Sequence, residues 1–146
     1  MTLKVHIPCD SAALALGADA LARAVQAAAQ DCGLAIELRR TSSRGLFWLE
    51  PLIEIDTDQG RLGYAGAMPQ EAPSLCAAWQ QGEHFRHPRC VGLVEEMAYL
   101  KRQQRLVFAR MGITRPLSLP DYCAHGGYQG LAAALRRPAA AVVQEV

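Results

Sequence analysis

The opening strand–helix–strand pattern constrains this chain more than any other stretch. Leu3 to Ile7 alternates Leu, Val and Ile with Lys and His, the period of a half-buried strand. Pro8-Cys9-Asp10-Ser11 ends it. Asp10 or Ser11 can cap a helix by accepting from the exposed amides of its first turn. From Ala12 to Asp31 the chain is rich in Ala and Leu, and Leu14, Ala18, Leu21, Val25 and Ala28 form one apolar stripe. Gly33 stands where a left-handed cap belongs. Leu34 to Arg40 alternates again. Strand, helix and strand in so short a span favour a parallel pair joined by a right-handed crossover.

A polar loop, Thr41 to Gly45, leads to Leu46-Phe47-Trp48-Leu49 and then to a third strand over Pro51–Asp56. Asp58-Gln59-Gly60 marks a tight turn, so Arg61–Ala65 returns antiparallel. Pro69–Gln81 reads as a second helix with Leu75, Ala78 and Trp79 on its buried side. The order β-α-β then β-β-α predicts an α/β domain with a four-stranded mixed sheet. It is the element order of a thioredoxin-like fold, and other topologies share it. The domain spans residues 1–85, a linker 86–93 follows, and 94–146 reads as helical, with helices near 94–111, 118–124, 127–136 and 138–145.

The length supports one real core. Lys and Arg number 15 against 14 acidic residues, a net charge of +1, so nothing recommends nucleic acid or membrane as a general partner. No apolar run approaches the ~18 residues of a membrane helix. The first ten residues meet a charge and a proline too early for a signal peptide. The five cysteines, Cys9, Cys32, Cys76, Cys90 and Cys123, contain no C-x-x-C pair, which fits reduced thiols in the cytoplasm.

Four constellations could carry chemistry. His84, His87 and Cys90 offer zinc-type ligands in a loop, with a fourth needed from Cys123 or His125; the alternative is a basic solvated linker. Lys101, Arg102, Arg105 and Arg110 could meet phosphate, yet Glu95, Glu96 and an apolar stripe favour a solvated face or an acidic neighbour. The Gly126–Gly130 cluster could hold an anion at a helix start, but it matches neither phosphate-loop nor dinucleotide spacing; close packing is the simpler reading. Ser11, Ser42 and Ser43 sit in no nucleophile elbow. Cys9 stands at a strand-to-helix junction that could activate a thiol, but its would-be redox partner position is Ala12.

Longer motifs add a resemblance. Tyr99-Leu100, Gln104-Arg105-Leu106, Pro116-Leu117-Ser118-Leu119, Asp121-Tyr122 and the run from His125 to Leu135 resemble the flavin-binding subunits of respiratory complex I, NAD-reducing hydrogenases and NAD-dependent formate dehydrogenases. In those proteins the segment precedes a glycine-rich run that cradles FMN. The N-terminal half resembles their thioredoxin-like 2Fe–2S ferredoxin domain, which carries C-x4-C after its first strand and C-x3-C after its second. Those four positions fall here on Cys9, Leu14, Ser43 and Phe47, with Gly45 and Pro51 in their scaffold places. Leu14 and Phe47 cannot ligate iron. Phe47, with Trp48, is expected to fill the space a cluster would occupy.

The resemblance therefore implies a degenerate ferredoxin domain without cluster ligands. Asp10–Asp19 and Arg44–Leu52 point to the beta subunit of NAD-dependent formate dehydrogenase. It implies an assembly and docking role, no catalytic, cofactor or metal ligand in these residues, and FMN, NAD and an iron–sulfur cluster in the parent subunit. Its partners would be a downstream FMN domain and the other dehydrogenase subunits. The competing class is a stand-alone thioredoxin-like adaptor or assembly protein with no redox cofactor.

Overall fold

The computed structural model describes residues 2–145, which divide into two compact units, one running through Arg115 and one starting at Pro116. In the first, β1 (Leu3–Pro8) pairs parallel with β2 (Ile36–Thr41), from Leu3 opposite Ile36 to Pro8 opposite Thr41. On its other side β1 pairs antiparallel with β3 (Ile53–Thr57), His6 opposite Glu54. β3 turns into antiparallel β4 (Gly60–Tyr64). The mixed sheet expected from the sequence is thus present, but it has a fifth strand. β5 (Cys90–Leu93) pairs antiparallel with β4 and gives the order β2-β1-β3-β4-β5. Its four residues show no alternation, and Gly92 at φ +85° bends it beside a register shift at Gly63/Tyr64. Pairing alone makes it a strand.

The crossover between β1 and β2 is two helices rather than one. α1 (Ser11–Ala15) starts at Asp10, whose Oδ1 accepts from the Ala12 and Ala13 amides at 3.1 and 3.4 Å. Gly17 at φ +92° then breaks the path before α2 (Ala18–Cys32). Gly33 closes α2 in the left-handed conformation, as expected. After β4, a 3-10 turn at Pro69–Glu71 leads into α3 (Ala72–Gln80).

Strand alternation assigns the two faces of the sheet. Val5, Ile7, Ile53, Ile55, Leu62 and Tyr64 meet Leu21, Val25, Leu75, Cys76 and Trp79 of α2 and α3 in the main core. Each such aliphatic side chain contributes about 1.5–3 kcal/mol over exposure. His6, Glu54, Asp56 and Arg61 share a polar network away from that core. A second, smaller core of Leu46, Leu52, Val94 and Leu100 packs beside it.

The expected helix over 94–111 forms only as a 3-10 turn at Val94–Glu96 and α4 (Ala98–Lys101); residues 102–115 follow as turns. Long-range bonds hold this segment to the sheet and the loop after β2. Arg44 Nη1 donates to Glu95 at 2.5 Å, Arg61 Nη1 donates to the Gly112 carbonyl at 2.5 Å, and the Gly112 amide donates to Ser42 Oγ at 3.1 Å. These bonds tie the segment to the polar network as a strap.

The second unit holds α5 (Leu119–Ala124), α6 (Gln129–Ala134) and α7 (Ala139–Glu145). Ser118 Oγ accepts from the Asp121 amide at the start of α5. The Tyr122 and Tyr128 rings meet edge-on at 5.0 Å. Among the described residues, no helix is long and apolar enough to cross a membrane.

Candidate functional site

The parallel pairing of β1 and β2 brings their C-terminal ends together, and the Cys9 amide donates to the Thr41 carbonyl at 2.8 Å. Two of the four positions singled out in the sequence follow those strands directly. Cys9 follows β1, partly buried, with a free thiol. Ser43 lies in the loop after β2, buried. Leu14 lies on α1 with its side chain exposed, and Phe47 opens the 3-10 turn Phe47–Leu49 with its side chain 58% exposed.

Ser43 is committed. Its hydroxyl donates to Glu50 Oε1 at 2.7 Å and accepts from the Gly45 amide at 3.0 Å. Glu50 Oε2 accepts from the Leu52 amide at 2.9 Å. The loop Ser43–Leu52 is therefore clasped from within by one buried carboxyl, and the Glu50–Pro51 peptide inside it is cis. Burial pushes the Glu50 carboxyl above the usual carboxylate range against the pull of these two bonds, and the Asp10 and Glu54 charges add to that. Sequence reasoning missed Glu50; its buried polar partners come from chain closure and leave no spacing signal.

The expected filling role passes to a neighbour. Leu46, fully buried, enters the small core, while Phe47 and Trp48 face outward. Side chains three apart eclipse on a 3-10 turn, so Leu46 at its start and Leu49 at its end share the inward side, and Phe47 and Trp48 between them do not. Trp48 instead meets the Tyr99 ring edge-on at 5.0 Å.

A 2Fe–2S cluster needs four thiolate or imidazole ligands. Cys9 offers one thiol, Leu14 and Phe47 have no donor atom, and the Ser43 hydroxyl is engaged in the clasp. The residues present do not fit a cluster.

The histidine loop does not assemble a metal site either. Among the described residues, no three His, Cys, Asp or Glu side chains are grouped to hold an ion. His87 Nδ1 accepts from the Arg89 amide at 3.2 Å, and Nε2 lies 3.1 Å from Ser74 Oγ. Because Nδ1 accepts from the Arg89 amide, the ring proton sits on Nε2, and burial lowers the His87 pKa. Ser74 Oγ therefore accepts a hydrogen bond from His87 Nε2 and donates one to the Glu71 carbonyl at 2.8 Å. A nucleophile would need the reverse arrangement, so this serine–histidine contact is structural.

Of the basic residues, Lys101 pairs with Glu96 and Arg105 reaches Glu95 at 3.9 Å. In the glycine cluster, Gly126 takes φ +88°, a left-handed turn conformation, and a Cβ at Gly127 would overlap the Tyr122 ring, so a turn accounts for the first and close packing for the second.

This frame has solved counterparts. The chain superposes on two structures of a thioredoxin-like [2Fe-2S] ferredoxin from Aquifex aeolicus, each at TM-score 0.52 and 10% identity, over 62% of this chain and 97% and 91% of theirs. The fold is that of a thioredoxin-like ferredoxin. No protein-family model matches the sequence, and no curated protein matches it. The ferredoxin-like unit described above carries the parallel β1–β2 pair, the helices on one face and the loop ends that the resemblance pointed to.

Proposed function

We propose that this chain is the cluster-free, ferredoxin-type front domain of the flavin-bearing beta subunit of an NAD-dependent formate dehydrogenase, working in the cytoplasm. Its role is docking: it presents a rigid surface to the other subunits and braces the FMN domain. The observation that carries this reading is the fate of Cys9, Leu14, Ser43 and Phe47. The ferredoxin frame is retained, while three of its four ligand positions are a leucine, a clasped serine and an outward phenylalanine. The motifs from Tyr99 to Leu135 supply the flavin-subunit half of the reading. FMN, NAD and the iron–sulfur cluster belong to the parent subunit outside these residues, where formate-derived electrons pass to NAD.

Two measurements test it. The chain produced alone should be colourless, free of acid-labile sulfide and unable to reduce a dye with NADH; two irons per chain with visible absorbance would overturn the cluster-free assignment. Tagged and purified from its own cells, it should bring down formate:NAD activity. Recovery without any dehydrogenase subunit would favour the adaptor class instead.

A further inference from the structure

The outward side of the clasped loop carries an exposed aromatic group held in a fixed shape. Phe47 is 58%, Trp48 64% and Tyr99 48% exposed, and the Trp48 and Tyr99 rings meet edge-on. Behind them, Leu46 and Leu100 are buried in one small core. Rigid, exposed aromatics of this kind are the usual energetic anchors of protein interfaces, because little side-chain entropy is lost when they are covered.

The surrounding charge has a definite sign. Arg102 follows Tyr99 by three positions at the end of α4, which puts it on the same helix side. It is exposed, and its guanidinium has no hydrogen-bond or ion-pair partner among the described residues; the same holds for Arg110 further along the strap. The acids of the segment are spent internally: Glu95 on Arg44 and Arg105, Glu96 on Lys101. Residues 94–115 hold five cations against two carboxylates. Leu106, Val107 and Phe108 of the strap are also exposed. Residues 94–115 thus carry exposed aromatic and aliphatic groups and two unpaired guanidinium groups, while both of their carboxylates are paired.

We infer that Phe47, Trp48, Tyr99 and Arg102 form a docking surface for an acidic protein segment, one that covers the aromatics and brings carboxylates to Arg102 and Arg110. This rests on the docking role proposed above and names its face and its partner's chemistry. A protein partner is favoured over an anionic membrane. Membrane-binding basic clusters run to about four to eight Lys or Arg on an amphipathic helix or beside a membrane span, whereas this segment offers two unpaired cations and one ring of a folded, edge-on aromatic pair.

The test uses the full chain in its own cells. A benzophenone amino acid replaces Phe47, and in a control replaces Gln26, which is exposed on α2. Photocrosslinked products are identified by mass spectrometry. The expected result is crosslinking from position 47, and not from 26, to one protein segment rich in Asp and Glu. Arg102→Glu with Arg110→Glu should lower the yield about tenfold or more. Arg102→Ala with Arg110→Ala should lower it less, and serves if the reversed pair misfolds. Crosslinks to a second copy of this chain, to lipid, or to a neutral or basic segment would overturn the inference. So would no crosslink, or a yield unmoved by both double variants. If the acidic segment belongs to a protein that is not a dehydrogenase subunit, the docking surface stands and the formate dehydrogenase assignment fails.

Discussion

Arg44 grips Glu54 at two points: Nε donates to Oε1 at 2.9 Å and Nη2 to Oε2 at 2.8 Å, with both side chains almost fully covered. The third arm of the guanidinium reaches Glu95. Glu54 also faces Arg61 at 3.5 Å, and Arg61 bonds Asp56 at 3.1 Å, which holds His6 at 2.9 Å. One loop residue thereby links the sheet to the strap that precedes the second unit.

Removing one partner of such a pair strands a buried charge. Arg44→Ala should cost about 3–5 kcal/mol of unfolding free energy, measured from urea midpoints. Arg44→Lys should recover only part, because a point charge cannot serve both Glu54 oxygens. Replacing Arg44 and Glu54 together by Met should recover most of the loss. A cost below about 1 kcal/mol for Arg44→Ala would show that water reaches the pair.

Glu50 predicts an acid-side effect of definite sign. Its folded pKa lies above the unfolded value, so the folded state binds the proton more tightly and ionisation works against folding. That cost is complete above the raised value and disappears as pH falls through it toward the ordinary carboxylate range. Glu50→Gln removes the charge and keeps an acceptor for the Leu52 amide, while its amide NH2 meets the Ser43 hydroxyl that Oε1 accepts from, a mismatch that does not vary with pH. It should therefore compare better with the parent at pH 7 than at pH 4. Denaturation curves giving the same difference at both pH values would refute this.

His6 acts in the opposite direction and in a higher window. Burial, helped by Arg61 and opposed by Asp56 and Glu54, lowers its folded pKa. The stability it contributes is present above its unfolded pKa of 6.5 and is lost as pH falls from there toward the folded value. Burial gives His87 the same sign. His6→Gln should flatten part of the decline between pH 7.5 and 5.5, and a pH profile identical to the parent's would exclude the assignment.

Gly112 separates backbone strain from packing. Gly112 and Gly33 have nearly equal φ, +73° and +75°. A Cβ on Gly33 meets open space, while one on Gly112 would overlap the Arg44 side chain. Gly33→Ala should cost about 1 kcal/mol, and Gly112→Ala about 1–3 kcal/mol more because the buried guanidinium must shift. Equal losses would mean that the strap does not pack on Arg44.

Much of the first unit can be read along the chain, because its signals are local. Alternation at Leu3–Ile7, the stripe through Leu21 and Val25, the Asp10 cap and the Gly33 stop each depend on residues within one or two turns. The same periodicity misplaced the helix beyond Lys101 and passed over β5, since both were decided by contacts from residues far away in the chain. At the candidate site, the missing ligand atoms at Leu14 and Phe47 were legible from side-chain chemistry alone. Glu50 closing on Ser43, Leu46 rather than Phe47 turning inward, and Trp48 meeting Tyr99 were not. The sequence by itself determined the first four strands and the helical stretches between them, and that Leu14 and Phe47 carry no ligand atom. The tertiary structure decided which polar groups are buried together and which aromatics are left outside, because burial depends on the neighbours that chain closure brings, and no local pattern encodes them.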